Sequence, residues 1–463
     1  MIFESLDEKQ RVEFVRKTVS GFLGGSRMER AKDCRLHYRT ENPDIARRRK
    51  LYASAVDSAD GTIKAAAKEN KFAANEKVAS PFFRKITDAK VQYIAGEGAD
   101  VNAVEDDEQA AAAVKAVTDS LGDMLKRTEQ ACLTDALVYG SGFCYAQIVN
   151  DRLKLQHVPY CEVVPFYDRY GALCAVMRYF KRDGCEYADY HTPEKIYSFE
   201  RNPKSRDGSG WRFTGETWQI ITGKVYGDGT IESTGGRGWS RLPWFEMFHN
   251  NDHCSSLTHS VKTMIRCYDI VVSDFVNNLI DLQDVFVSLK ADSAYSGMDY
   301  GEVIEMLQNF KIAEGVEGVT AFEVPYQARQ VLLSTMKEGI YEGLQGVDLS
   351  KIAGAPKTAK EIKAAYSDID LWADLAEWHI NDWVRDVVDF AAEYLGVSLP
   401  AYSITNTRRV MFDETEQMQA IATQKGVISD KTLFENHPLV KDAQQELERI
   451  AAQDLDAAYS GGI

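Results

Sequence analysis

The chain has 463 residues, enough for two to four domains and for a full core without disulfides. Its 54 Lys and Arg against 70 Asp and Glu leave a formal charge of −16, which disfavours a protein that grips nucleic acid by neutralising phosphates. No apolar run approaches the ~20 residues of a membrane span, and Glu4, Asp7 and Glu8 stand where a secretory signal would be apolar. The eight cysteines form no C-x-x-C pair and read as reduced thiols of a cytosolic compartment, several of them in the core.

Residues 1–75 read as mainly helical. Leu6, Val12, Val15, Val19 and Leu23 recur with an irregular helical period that Gly24-Gly25 stops. ARRRK at 46–50 reads as a solvated helix face or a nucleic-acid patch, and an alanine-rich stretch follows. SPFFRKITDAKVQYIAG (80–96) runs from a Ser-Pro break to a glycine, and VNAVEDDEQ reads as an acidic linker. Ala110 to Val138 is expected as one helix ending in YGSG. That glycine turn follows a helix and precedes a strand, the reverse of a phosphate loop.

From 143 to about 248 the pattern becomes β. FCYAQIV and RLKLQHV predict a hairpin, and turn signals then recur every 8–12 residues, as in an antiparallel meander. At Pro243 the pattern changes, and Leu257 to Leu289 reads as one amphipathic helix roughly 50 Å long. Lys262, Arg266, Ser273, Asn277, Asp281, Asp284 and Ser288 fall on its polar side. Residues 291–325 form a glycine-punctuated insertion with a short helix (EVIEMLQNF) and a strand (VTAFEV). A helix from Pro325, a break at 346–358 and a long helix from about 359 to 395 follow, with Trp372, Trp378 and Trp383 expected as packing anchors. The tail predicts a strand within YSITNTRRVMF and two polar helices near 413–425 and 438–455.

Little in the chain suggests catalysis. His249, His253, Cys254 and His259 are of types that suit zinc, but their spacing fits no standard site, and a helix-entry loop is the competing reading. A Cys144–His157 nucleophile pair has nothing to position it, and no nucleotide, kinase or hydrolase signature is present. The expectation is therefore no enzyme, no cofactor and no metal.

Several segments, in this order, resemble the portal proteins of long-tailed double-stranded DNA bacteriophages over about residues 70–460. They are FFRKITDAKVQYIAG, ALVYGSGFCYAQI before CEVVPFYD, and LPWFEMFHNND before the long helix. PYQARQVLLSTMKEGIYEGLQGVD, GAPKTAKEIKAAYSDID and ITNTRRVMFDETEQMQAIATQKGVISDKTLFENHPLVKDAQQELERI follow. The resemblance implies an α+β, mainly helical portal fold: long stem helices, an antiparallel β-rich wing and a small α/β clip, assembled as a ring of typically twelve subunits. It implies a wing over 1–250, a first stem helix over 251–290, a clip over 291–325 and a second stem helix over 326–346. A tunnel loop over 347–358, a helix returning to the wing over 359–398 and a crown over 399–463 complete it. Such a ring is the channel at one capsid vertex for DNA packaging and ejection. Its implied partners are the major capsid and scaffold proteins, the terminase motor, the head–tail connector and the passing DNA, with no membrane. The implied location is the virion, and the host cytoplasm during assembly.

On that resemblance Lys262, Arg266, Asn277, Asp281 and Asp284 are channel-lining candidates, and Lys351 and Lys357 are tunnel-loop candidates. Twelve copies would carry roughly −190 formal charges, which opposes tight adhesion of DNA with its one phosphate per ~1.7 Å. The rival classes are another virion protein such as a connector, whose usual chain is much shorter, and a metal-dependent hydrolase built on His249–His259.

Overall fold

A computed structural model of the chain describes residues 3–46, 51–57, 63–69, 74–104, 107–149, 151–204, 210–225, 231–281, 285–289, 316–321, 326–348 and 364–409, with single positions at 48, 350, 361, 447, 449 and 450. The fold mixes helix and sheet, as an α+β chain does. It divides into two units: residues 1–346 with 372–407, and residues 347–371 with 408–463.

The first unit opens with helices α1 (Glu8–Gly24), α2 (Ser26–Tyr38) and α3 (Pro43–Ala46). Asp7 caps α1 by accepting from the Gln10 backbone N–H at 2.8 Å, while the Gln10 side chain accepts from the Asp7 N–H at 3.0 Å. This reciprocal box satisfies two otherwise orphaned donors. The helical reading of 1–75 then fails: β1 (Leu51–Asp57) and β2 (Ile63–Glu69) form an antiparallel hairpin. The ladder between the two segments outweighs the helix propensity of the alanines.

Helix α4 (Phe82–Ala95), strand β3 (Ala99–Ala103), and helices α5 (Glu108–Leu121) and α6 (Asp123–Tyr139) follow. The single helix expected over 110–138 is two, because Gly122 adopts φ +49° between them. The start of the expected acidic linker, residues 101–103, instead belongs to β3. It pairs with strand β16 (Tyr402–Asn406), so the two peptide ladders satisfy each other across 300 residues of chain.

Next come β4 (Gly142–Val149), β5 (Arg152–Val158), β6 (Val163–Tyr167), β7 (Leu173–Arg182), β8 (Cys185–His191), β9 (Lys195–Arg201) and β10 (Arg212–Trp218). β11 (Ile220–Val225), β12 (Ile231–Arg237) and β13 (Trp244–Met247) complete the β region. As expected, β4 and β5 form a hairpin, to which β13 adds an edge. Strands β6 to β10 form a five-stranded antiparallel meander. Val15, Val19 and Phe22 of α1 pack on it against Met177, Tyr179, Ala188 and Phe199. Where β4 begins, a Cβ on Gly142 would lie 2.0 Å from the Cys132 carbonyl oxygen, so the glycine is a packing requirement and not a ligand loop.

Helix α7 (His259–Asp281) ends eight residues earlier than the sequence suggests. The segment VFVSL becomes β14 (Val285–Leu289) and pairs with β15 (Val316–Ala321). Its β-branched and aromatic residues favour a ladder over a final helical turn. Helix α8 (Tyr326–Gly343) runs beside α7, and α9 (Ser367–Leu395) precedes β16. The expected short helix EVIEMLQNF and the two tail helices lie outside the described residues, apart from isolated tail positions. Trp372 and Trp383 anchor the buried face of α9 as expected, but Trp378 is 76% exposed. Phe390 packs on Trp239 and Phe245, with ring centroids 4.4 and 5.4 Å away. In the second unit, Arg408 pairs with Asp370 at 3.5 Å. All eight cysteines are free thiols, with Cys34, Cys132 and Cys144 buried. Among the described residues no helix is long and apolar enough to cross a membrane.

Candidate functional site

The site is built around the antiparallel pair α7–α8. Its entry loop is fixed first. Ser256 uses both its backbone N–H and its hydroxyl to reach the Leu137 carbonyl at 2.9 Å. Gly140, at φ +108°, lets the loop press so close that a Cβ there would lie 2.4 Å from the His253 carbonyl oxygen.

The histidine cluster belongs to this entry. The His249 Nε2–H donates to the Cys254 carbonyl at 2.9 Å, which turns its lone pair to Nδ1, and burial pushes its pKa down to about 4. His253 stacks on Phe248 with centroids 3.6 Å apart, and the Cys254 thiol donates to the Asp252 carbonyl. These contacts make the loop the entry of α7, and among the described residues no three His, Cys, Asp or Glu side chains are grouped as metal ligands would be. Cys144 and His157 do face each other across β4 and β5, but the His157 Nε2 is held by Asp135 at 2.9 Å. Burial and the adjoining Cys144 push the neighbouring Cys132 thiol well up in pKa, the opposite of nucleophile activation.

The facing sides of α7 and α8 are apolar and close. Val261 and Ile265 pack on Ile340, Tyr341 and Leu344. Gly339 and Gly343 permit the approach: a Cβ on Gly343 would come within 2.7 Å of Val261, and one on Gly339 within 3.0 Å of the Met264 sulfur. Towards the far end, Phe275 lies 6.4 Å from Tyr326, and Arg329 stands over the Phe275 ring.

Three polar side chains of α7 turn inward. Asp269, Ser273 and Asn277 are one turn apart and all buried. Asp269 accepts from the Ser80 N–H at 3.0 Å and from Asn42 Nδ2 at 2.7 Å. Ser273 Oγ accepts from the Val78 N–H at 3.0 Å. The Asn277 amide accepts from the Glu76 N–H at 2.7 Å and donates to the Glu76 carbonyl at 3.1 Å. Side chains four apart on a helix thus meet backbone groups two apart on an extended strand, because ~6.0 Å of helix matches ~6.6 Å of strand. Residues 76–80 are strapped along α7.

This corrects one candidate. Asn277 is 1% exposed and both ends of its amide are spent on the strap, so it faces no open surface in the subunit. Lys262 is half-buried and pairs with Asp33 at 2.8 Å. Arg266 is exposed and makes no ion pair among the described residues. Asp281 is the last residue of α7. Asp284, Lys351 and Lys357 lie outside the described residues. Of the basic run at 46–50, Arg48 pairs with Asp274 of α7 at 3.0 Å, which makes it a strut. The missed residues had one signal: Asp269 interrupts an otherwise apolar arc four positions before Ser273.

The family model described as phage portal protein, SPP1 Gp6-like, matches residues 31–458. The chain belongs to the phage portal protein family. The portal protein of Clostridium phage phiCD119 is 25% identical over 374 residues, 74% of this chain and 79% of that one. The portal protein of Bacillus phage SPP1 is 25% identical over 447 residues, 89% of this chain and 81% of that one. Among solved structures, a chain from the virion of a native gene transfer agent particle covers 76% of this chain, and the match covers 86% of that one, at 10% identity. Its TM-score is 0.34, too low for one fold to be read from the other. Family membership makes the chain a structural component of a phage virion.

Proposed function

We propose that the chain assembles as a closed ring, of twelve subunits, at one capsid vertex and forms the channel through which DNA is packaged and ejected. The observation that carries this is the family match over 31–458. A contact between two different surfaces of one subunit, repeated by rotation until it closes, produces such a ring. The partners are the capsid and scaffold proteins, the packaging terminase and later the head–tail connector. The virion is its final location, and the host cytoplasm its place of assembly.

In this reading residues 1–250 are the wing, 291–325 the clip, 347–358 the tunnel loop, 359–398 the returning helix and 399–463 the crown. The stem consists of α7 and α8, with the first stem helix shortened to 259–281. Arg266, Lys262, Asp281 and Asp284 line the channel, and Lys351 and Lys357 touch passing phosphates. Lys262 does so with its charge already balanced by Asp33. A conduit needs such weak, screened contacts, because strong attraction summed along the stem would stall movement. Electron microscopy of the purified protein tests the proposal. Rings with a central pore are expected, and a strictly monomeric or dimeric particle at every salt concentration would overturn it.

A further inference from the structure

Helix α9 has an inner face of the usual kind, with Trp372, Ala376, Ile380, Trp383 and Val387 buried. Its outer face is unusual. Leu375 is 61% exposed and Trp378 is 76% exposed. The Phe248–His253 stack belongs to the same surface, with His379 edge-on to Phe248 at 6.4 Å and held by Asn251 at 3.0 Å. Left in water, a side chain as large as tryptophan forgoes much of its burial energy, and exposed tryptophans of this kind are the usual anchors of protein interfaces. The rim is acidic, with Asp374, Glu377 and Asp382 on the same helix, Asp382 carrying an exposed pair with Arg385 at 3.3 Å that a stronger partner can replace.

Helix α2 offers the complementary surface. Its inner face buries Met28, Ala31, Cys34 and His37. Its outer face carries Lys32, Arg35 and Arg39 at helical spacing, around the half-buried Leu36. These three cations are exposed and make no ion pair among the described residues, although the chain as a whole carries −16. Within its own subunit α2 packs on α4 and α6, whereas α9 packs through Phe390 on Trp239 and Phe245.

We infer that the outer face of α9 around Trp378 docks on the cationic outer face of α2 in a second copy of the chain. Trp378 and Leu375 lie against the apolar stems of Leu36 and the long basic side chains. Asp374, Glu377 and Asp382 meet Lys32, Arg35 and Arg39. Because the two surfaces differ, each copy uses one on either flank, which is the contact a ring requires. The inference rests on the ring reading and names the surfaces that close it.

A charge exchange tests it. The wild-type chain forms rings by mass photometry. The double variants Asp374→Arg with Asp382→Arg, and Lys32→Glu with Arg35→Glu, each raise the concentration needed for assembly at least tenfold, and an equal mixture of the two assembles better than either alone. In parallel, Trp378→p-benzoyl-phenylalanine with irradiation yields covalent ladders of two or more chains, with the adduct mapping to residues 26–39. Wild-type rings that persist unchanged in both double variants would overturn this contact and leave the ring reading standing. An adduct that runs as a single chain and maps to residues 410–463 would overturn it too, since Trp378 would then be covered by its own subunit. Absence of wild-type rings at any concentration or salt would overturn both readings.

Discussion

Lys90 is the group whose replacement tests the energetics most directly. It is 2% exposed in the middle of α4, and no carboxylate lies in ion-pair range among the described residues. Its ammonium stands 4.4 Å from the centre of the Trp372 ring. Burial alone lowers its pKa from 10.5 to about 7. At ~1.4 kcal/mol per tenfold change in proton affinity, the charged form costs about 4–5 kcal/mol. The cation–π contact offsets about 1–2 kcal/mol of that. Lys90→Met keeps the apolar stem and removes the charge, so it should stabilise the chain by about 2–4 kcal/mol at pH 6. The sign with pH is set by linkage. Between pH 7 and 10.5 the unfolded chain holds the extra proton, so wild-type stability attributable to this group rises with pH across that window. The advantage of the variant should therefore be full below pH 7 and vanish by about pH 10.5. Urea unfolding of both proteins at pH 6, 8 and 10 measures it. A destabilised variant at pH 6, or an advantage unchanged from pH 6 to 10, would refute the reasoning.

Glu129 is the acidic counterpart: it is fully buried, one oxygen accepts from the Ala99 N–H, the other has no partner among the described residues, and burial raises its pKa to about 7. The folded state keeps this proton while the unfolded state loses it, so stability falls as pH rises from 4.5 to 7. Glu129→Gln should flatten that slope and gain about 2–3 kcal/mol at pH 7.5, as read by the same titration of urea midpoints. Asp269→Ala strands Asn42 Nδ2 and the Ser80 N–H, and should cost about 2–4 kcal/mol, with faster amide exchange at residues 76–80. Gly343→Ala forces Val261 away and should lower the melting temperature, with ~1–3 kcal/mol of strain outweighing the ~1 kcal/mol gain in helix propensity. A rise in melting temperature would mean the α7–α8 contact is looser than its geometry shows.

Much of this was legible before the structure. The β meander announced itself through turn spacing, and α7 and α8 through their apolar period. Failures came where the deciding partner is distant. Strand β3 has only five residues, with Val101 its one sizeable apolar side chain, and nothing near it signals a strand; its partner stands 300 positions away in β16. Asn277 fell on the polar side of α7 by periodicity, but periodicity cannot tell water from a peptide strap. Trp378 had the composition of a core residue, and only its phase relative to Trp372 and Trp383 turns it outward. The alanines of β2 favour a helix in isolation, and the pairing with β1 overrides them.

The β3–β16 ladder also dates the completion of the subunit. Ala103 is synthesised about 300 residues before Tyr402 pairs with it, a wait of roughly 15–60 s at ~5–20 residues per second. Through that interval the nascent chain also lacks α9, so Trp239 and Phe245 have no Phe390 to pack on. The first unit therefore matures only after residue 406 has been translated. A chain broken off before residue 406 leaves the ribosome with an unpaired strand edge and an uncovered aromatic cluster, a substrate for chaperones and proteases and not for assembly.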